Sequence, residues 1–179
     1  MSVFPNWRTF AVPQRRLSTG CIPTGYQMIL EAAAAQDVDF ASFQDDFDLD
    51  INLGKGQAEP RNDFGSVATA VKQRYPWISF EQKSFGSGIE KTAFIDAMLV
   101  AQKPILISLA MKPFGGKGWH IMPVVDATTD QYLLLKIVEA DGTPNTEWIR
   151  KAMLSEVHDG FPGGKEVGFL ADLGKPGAS

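Results

Sequence analysis

The sequence predicts an α+β protein, because segments with helical periodicity come mostly first and strand-like apolar runs mostly last. The first helical segment, residues 22–35, repeats apolar side chains at positions i, i+3, i+4 and i+7. The later part of the chain contains the apolar runs PILISLA, WHIMPVV and YLLLKIVEA, which are separated by glycine-rich or polar turns. Helices and antiparallel strands that are segregated along a chain are typical of α+β architecture.

The individual helices are predicted from apolar spacing and from start signals. In the first helix, Pro23 is tolerated because it falls in the first turn. The acidic segment 37–51 carries three phenylalanines at helical spacing, which predicts a second, short helix. Further helices are predicted over 64–74, over a segment that begins near Ser87, and over 147–157.

The strands are predicted from short runs rich in branched and aromatic residues. A short strand is expected at 77–82, and PILISLA is expected to be a buried strand. The runs WHIMPVV and YLLLKIVEA flank the turn sequence DATTD, so they are predicted to form an antiparallel hairpin. The Gly/Pro-rich segment from Gly160 onward is predicted to be an irregular tail.

Composition excludes several classes of protein. The 179 residues suit one domain, 1–179, and 44% hydrophobic with 21% charged residues is typical of a globular protein. The net charge is −4, so the chain lacks the excess of basic residues that nucleic-acid binding requires. No apolar run is long enough for a secretory signal or a membrane span, and no disulfide can form, so we expect a cytoplasmic protein without a membrane partner.

The single cysteine, Cys21, stands at the start of the first predicted helix. Helix N-termini stabilise negative charge, and this setting lowers a cysteine pKa. A free cysteine can also be a small, buried hydrophobic residue. The residue alone therefore leaves two readings open, a reactive thiolate or a structural side chain.

A thiolate nucleophile needs a base, and the chain has two histidines. His158 is predicted at a helix end beside glycines, where a solvated or capping role is expected. His120 begins a strand directly after the glycine-rich turn KPFGGKG, so its ring can face a cleft. Trp119 precedes it and can shield a Cys–His pair from water. His120 is the candidate base.

Two acids across the hairpin could orient His120. Glu139 and Asp141 are two residues apart and share one face of the strand, so alternation does not choose between them. Symmetric counting about the turn 128–130 favours Glu139, and the position at the strand end favours Asp141. Both remain candidates, beside the alternative that each is an ordinary exposed strand-end acid.

The order of motifs along nearly the whole chain resembles the papain-like cysteine peptidases. The matching segments are VPQ, GCIPTGYQMIL, KPILISL, GGKGWHIMPVVDA and LLLKIVEADG. The resemblance is closest to the bacteriocin-processing (double-glycine leader) peptidases and their bacterial relatives, in which a Gly-His-aromatic-aliphatic strand carries the histidine. It implies a papain-like fold in which the central helix with the cysteine packs on a C-terminal antiparallel sheet.

The same resemblance implies roles for four residues. Cys21 matches the nucleophile, His120 the general base, Asp141 the residue that orients the histidine, and Gln14 the side chain that helps to form the oxyanion hole. The implied reaction is cleavage of a peptide or amide bond through a thioester, with neither cofactor nor metal. Two alternatives remain open: an acyltransferase with the same triad, and a papain-fold binding module that has lost turnover.

Overall fold

Six antiparallel strands form the main sheet of the computed structural model, which describes residues 6–17, 19–51 and 58–177. These strands are β3 (Ile78–Ser84), β4 (Ile105–Ala110), β5 (Trp119–Ala127), β6 (Gln131–Val138), β7 (Pro144–Arg150) and β8 (Glu166–Leu173). Their order across the sheet is β3-β8-β4-β5-β6-β7. Two short strands, β1 (Leu49–Ile51) and β2 (Ala58–Pro60), pair separately.

The helices are α1 (Trp7–Phe10), α2 (Cys21–Ala32), α3 (Phe43–Asp48), α4 (Phe64–Arg74), α5 (Gly88–Val100) and α6 (Lys151–Gly160). None of those within the described ranges is both long and apolar enough to cross a membrane. Helices together with an antiparallel sheet confirm the predicted α+β class.

The sheet carries one hydrophobic cluster on each face. On the first face, Leu106 and Ile121 pack with side chains of α2, α3 and α4; we call this the α2 face. On the second, Ile107, Leu109 and Met122 pack with side chains of α5 and α6; we call this the α5 face. Both faces of β4 and β5 are therefore covered, so these central strands are apolar on both sides.

Helix α2 lies close against the sheet because of a glycine in its second turn. A Cβ atom at Gly25 would lie 2.6 Å from a methyl carbon of Leu106 on β4, closer than real carbon contacts allow. Tyr26, which follows, is fully buried and stacks on Phe80 with ring centroids 3.7 Å apart. This close packing fixes the position of the first residue of α2, Cys21, relative to the sheet.

Several predicted elements are confirmed. Helix α4 has the predicted bounds, and α5 begins directly after Ser87, whose side chain accepts the N–H of Glu90 at 3.2 Å. Strands β5 and β6 form the expected hairpin about residues 128–130. The short helix expected in the acidic segment is α3.

Other predictions are wrong. The segment 147–157 was expected to be helical, but its first residues extend β7, which pairs with β6, and the helix begins at Lys151. The expected irregular tail contains β8, which lies between β3 and β4. Strand β8 was not predicted because its partners, β3 and β4, come from distant parts of the chain. Such pairing leaves little local signal in the sequence.

Candidate functional site

Cys21 is the first residue of α2 and is half-buried. Burial raises the pKa of its thiol above the ordinary value of 9.0, although the N–H groups of Ile121, Cys21 and Ile22 act in the opposite direction. The negative charge of Asp48 raises the pKa further. Desolvation therefore outweighs the stabilisation of the thiolate that the helix N-terminus provides.

Gln14 lies beside the cysteine. Its side chain is 9% exposed, and Gln14 and Cys21 line the same small cavity between α2 and β6. One N–H of its amide donates to the backbone carbonyl of Arg16 at 2.7 Å. The structure thus brings Gln14 and Cys21 together, with one amide proton directed at the protein's own backbone.

A buried glutamine on α3, Gln44, holds the Gln14 segment against α2. Its amide nitrogen donates to the carbonyl of Pro13 at 2.9 Å, and its oxygen accepts the N–H of Arg15 at 2.9 Å. The same oxygen lies 2.8 Å from the hydroxyl of Thr24, in the first turn of α2. Gln44 therefore bonds to the backbone on both sides of Gln14. The role of Gln44 could not be predicted from the sequence, because its partners are distant in the chain.

His120 lies on the α5 face of the sheet. Directly paired residues of antiparallel strands project to the same face. His120 pairs with Leu109 of the α5-face cluster, whereas the next residue, Ile121, pairs with Ser108 and belongs to the cluster beneath α2. The register between β4 and β5 is continuous here, so the alternation is not broken by a bulge.

The imidazole of His120 is bonded elsewhere. Its Nε2 lies 2.7 Å from the backbone carbonyl oxygen of Lys136 on β6, and no hydrogen bond joins His120 to Cys21. The hydrogen bond of Nε2 thus connects His120 to β6 and not to Cys21. The physical reason is the one-residue alternation along β5, which directs residues 119 and 121, rather than 120, towards α2.

Trp119 and Ile121 occupy the space in front of the cysteine. Ile121 is 6% exposed, whereas Trp119 is 57% exposed. Both residues line, with Cys21, an open cleft of about 240 Å³, which we call the Cys21 cleft; its other lining residues are Thr19, Ile22, Asn62 and Gly118. An aromatic and an aliphatic side chain thus stand on the face that a catalytic histidine would need.

Asp141 and Glu139 both lie in the turn between β6 and β7 and are exposed. The carboxylate of Asp141 accepts the N–H of Thr143 at 2.8 Å, and this bond lowers the pKa of Asp141. The N–H of Glu139 donates to the carbonyl of Thr143 at 2.9 Å. Neither carboxylate is hydrogen-bonded to His120, whose Nε2 partner is the Lys136 carbonyl. The structure thus shows Asp141 stabilising a turn.

Asp48, at the end of α3, is a buried acid near the cysteine. Its side chain is 1% exposed, forms an ion pair with Nε of Arg16 at 2.8 Å, and lies 3.3 Å from the hydroxyl of Thr19. Burial raises its pKa. The acidic segment thus has an exposed acid, Asp45, and a buried one, Asp48.

The other histidine, His158, is also placed differently from the expectation. It is 2% exposed, and burial lowers its pKa, so the predicted solvated or capping role is wrong. It lies on α6, in the layer that covers the α5 face. Within the described ranges, no group of three or more His, Cys, Asp or Glu side chains could hold a metal ion.

Comparison with solved structures identifies the class of fold. The chain is similar to the crystal structure of a proposed C39-like peptidase from Bacillus anthracis, with a TM-score of 0.61 and 11% sequence identity. The similarity covers 97% of this chain and 100% of that chain. No family model and no curated protein matches the sequence. The fold is thus that of a C39-like cysteine peptidase, and the comparison extends to the fold alone.

Proposed function

We propose that this chain is a catalytically silent relative of the C39-like peptidases that binds a peptide segment in the Cys21 cleft. A single observation carries the proposal: Ile121, and not a histidine, faces the thiol from β5. A cysteine without a neighbouring base is largely protonated at neutral pH, and its raised pKa increases that tendency. The site then lacks an activated nucleophile.

The lining of the cleft supports a peptide ligand. Trp119 offers an exposed aromatic surface, and Thr19 and Asn62 contribute polar side chains beside it. A concave site with apolar walls and a few polar groups is typical of a binding pocket. The similar structure from Bacillus anthracis is that of a proposed C39-like peptidase, and peptidases bind peptides, so a peptide is the proposed partner here too.

Alkylation of the native protein tests whether His120 activates Cys21. We expect His120→Ala to change the rate of iodoacetamide labelling by less than about twofold, because the imidazole Nε2 is hydrogen-bonded to the Lys136 carbonyl and not to Cys21. Cys21→Ser serves as the unlabelled control, and the denatured proteins should react identically. A fall of about tenfold or more in His120→Ala would contradict the proposal.

Peptide binding is tested with a mixture of random synthetic heptapeptides and with fluorinated tryptophan as a reporter of Trp119. We expect the Trp119 resonance to shift on addition of the mixture in both the wild type and Cys21→Ser, with no shortened peptides appearing. Trp119→Phe assigns the resonance. If the Trp119 resonance does not move, the proposal that the cleft binds peptides is contradicted. If peptides are hydrolysed in the wild type but not in Cys21→Ser, the proposal that the protein is catalytically silent is contradicted.

A second candidate is the active cysteine peptidase or amidase that the resemblance implies. The observation that favours it is that Gln14 and Cys21 line one cavity, where backbone N–H groups also point towards the sulfur. Cys21 would attack the carbonyl, His120 would move the proton, Asp141 would orient His120, and Gln14 would stabilise the oxyanion. An amine in place of water would make the same site an acyltransferase.

This second candidate requires His120 to reach the α2 face. A one-residue shift of β5 against β4 would exchange the two faces of the strand and bring the imidazole towards Cys21. The His120→Ala labelling experiment separates the candidates, because only an activated thiol loses reactivity when the imidazole is removed.

A further inference from the structure

Lys91 is a lysine whose charged end is enclosed by the protein. It lies on α5 with 0% exposure, and its ammonium nitrogen donates to the carbonyl of Ser108 on β4 at 2.5 Å. It also donates to the carbonyl of Gly164, in the loop between α6 and β8, at 2.8 Å. Lys91 thus connects α5, β4 and this loop through two main-chain carbonyls.

The loop that Lys91 holds is tightly confined. Gly163 and Gly164 both have left-handed backbone conformations, with φ of +80° and +64°. A Cβ atom at Gly164 would lie 2.7 Å from the backbone nitrogen of Ala110, at the end of β4. A Cβ atom at Gly163 would lie 2.9 Å from Cε3 of Trp119. The glycine pair therefore fills the space between the end of β4 and the Trp119 indole.

The indole of Trp119 is also a wall of the Cys21 cleft. Its backbone pairs with Ala110 at the end of the β4–β5 ladder, and its side chain is more than half exposed. Part of the ring is covered by a backbone surface behind it, which limits where the indole can lie. That surface is Gly163, whose neighbour Gly164 is bonded to Lys91.

We propose that Lys91 is a positioning residue for the Cys21 cleft: acting through Gly164 and Gly163, it holds the Trp119 indole in place and so sets the width of the cleft. That the cleft binds a peptide rests on the proposed function; the mechanical link from Lys91 to Trp119 does not. A substitution of Lys91, on the α5 side of the sheet, should therefore change the width of the Cys21 cleft on the α2 side.

The test compares two core substitutions on α5 in protein labelled with fluorinated tryptophan. Lys91→Met removes both hydrogen bonds to the carbonyls. Met98→Ala removes side-chain volume from the hydrophobic cluster on the α5 face, and it serves as the control for general loss of stability. We expect Lys91→Met to shift the Trp119 resonance and to change the iodoacetamide rate at Cys21 by about threefold or more, while Met98→Ala does neither.

The outcomes are decisive in both directions. An unmoved Trp119 resonance in Lys91→Met, or an equal shift in Met98→Ala, would overturn the proposal. If Lys91→Met does not fold, Gly163→Ala replaces it, because the added methyl group meets the indole directly; a Trp119 resonance unchanged in that variant would overturn the proposal as well. These readouts need neither a ligand nor turnover, so they are independent of whether the cleft binds peptides.

Discussion

Cys21 and Ile121 lie opposite each other where the first turn of α2 meets β5, and the N–H of Ile121 points towards the cysteine sulfur. In a Cys–His enzyme, an imidazole would have to occupy the direction that the Ile121 side chain takes. His120, the neighbouring residue, projects to the α5 face. The difference between an activated and an inert thiol thus depends on which of two adjacent residues faces the helix.

Ile121→His should install the missing base. The new imidazole would project to the α2 face beside Cys21, and an adjacent imidazolium brings a thiol pKa down to about 3.5–7.5. We expect iodoacetamide labelling at neutral pH to accelerate by about tenfold or more, because the thiolate fraction rises. Ile121→Asn is the matched control, being polar but unable to accept a proton. Equal rates in the two variants would contradict the proposed geometry.

The thiol of Cys21 should ionise at a higher pH in the native protein than in the unfolded one. Burial raises its pKa above 9.0, so the folded protein keeps the proton to higher pH. The contribution of this group to stability is complete below the unfolded pKa and decreases as pH rises through it. Thiolate absorbance followed during titration, with Cys21→Ser as the blank, measures both states. A native midpoint below that of the unfolded chain would refute this prediction.

The elements that could be predicted from the sequence are those with local signals. Asp63 and Ser87 cap α4 and α5 by accepting N–H groups three residues later in the chain, and both helices were located correctly. The hairpin between β5 and β6 has its turn residues in the intervening sequence. Of the candidate site, the structure shows that Cys21 and Gln14, which the motif singles out, line the same cavity.

The face of His120 could not be predicted, because β5 is covered on both sides. Ile121 on one face and Met122 on the other are both apolar, so hydrophobic alternation does not reveal the orientation of the strand. One signal was present: in the motif the histidine directly follows glycine, whereas here Trp119 stands between Gly118 and His120. In a strand, an offset of one residue between the glycine and the histidine places the histidine on the opposite face.

Gln44→Ala should destabilise the protein and release the Gln14 segment. It removes the hydrogen bonds to the part-buried backbone of Pro13 and Arg15 and those to the buried side chains of Thr24 and Gln27. A buried polar group that loses its partner costs about 1–3 kcal/mol. We expect the free energy of unfolding to fall by about 2–3 kcal/mol in denaturant titrations. Gln73→Ala, at an exposed position of α4, is the control and should fall within about 0.5 kcal/mol of the wild type. Equal losses in both variants would mean that the Gln44 contacts contribute little.

Lys91→Met should flatten the dependence of stability on pH above neutrality. Burial, helped by the nearby charge of Lys165, lowers the pKa of Lys91 from 10.5 to about 7. Between these two values the unfolded chain binds a proton that the folded protein does not, so stability rises with pH, by about 1.4 kcal/mol per pH unit for one proton. Below about pH 7 both states are protonated and the slope vanishes.

The measurement for Lys91 is the free energy of unfolding at several pH values between about 7 and 8.5, below the range in which Cys21 and the buried tyrosines titrate. The wild type should gain stability across this interval, and Lys91→Met should gain less by about the contribution of one proton. His158→Phe is the control, because His158 is the other buried base of this layer. Burial lowers its pKa, so His158 titrates at more acidic pH and the variant should keep the wild-type slope between about pH 7 and 8.5. If the free energy of unfolding changes with pH equally in the wild type and in Lys91→Met, the prediction is contradicted. The amine of Lys91 would then keep its charge in the folded protein at neutral pH.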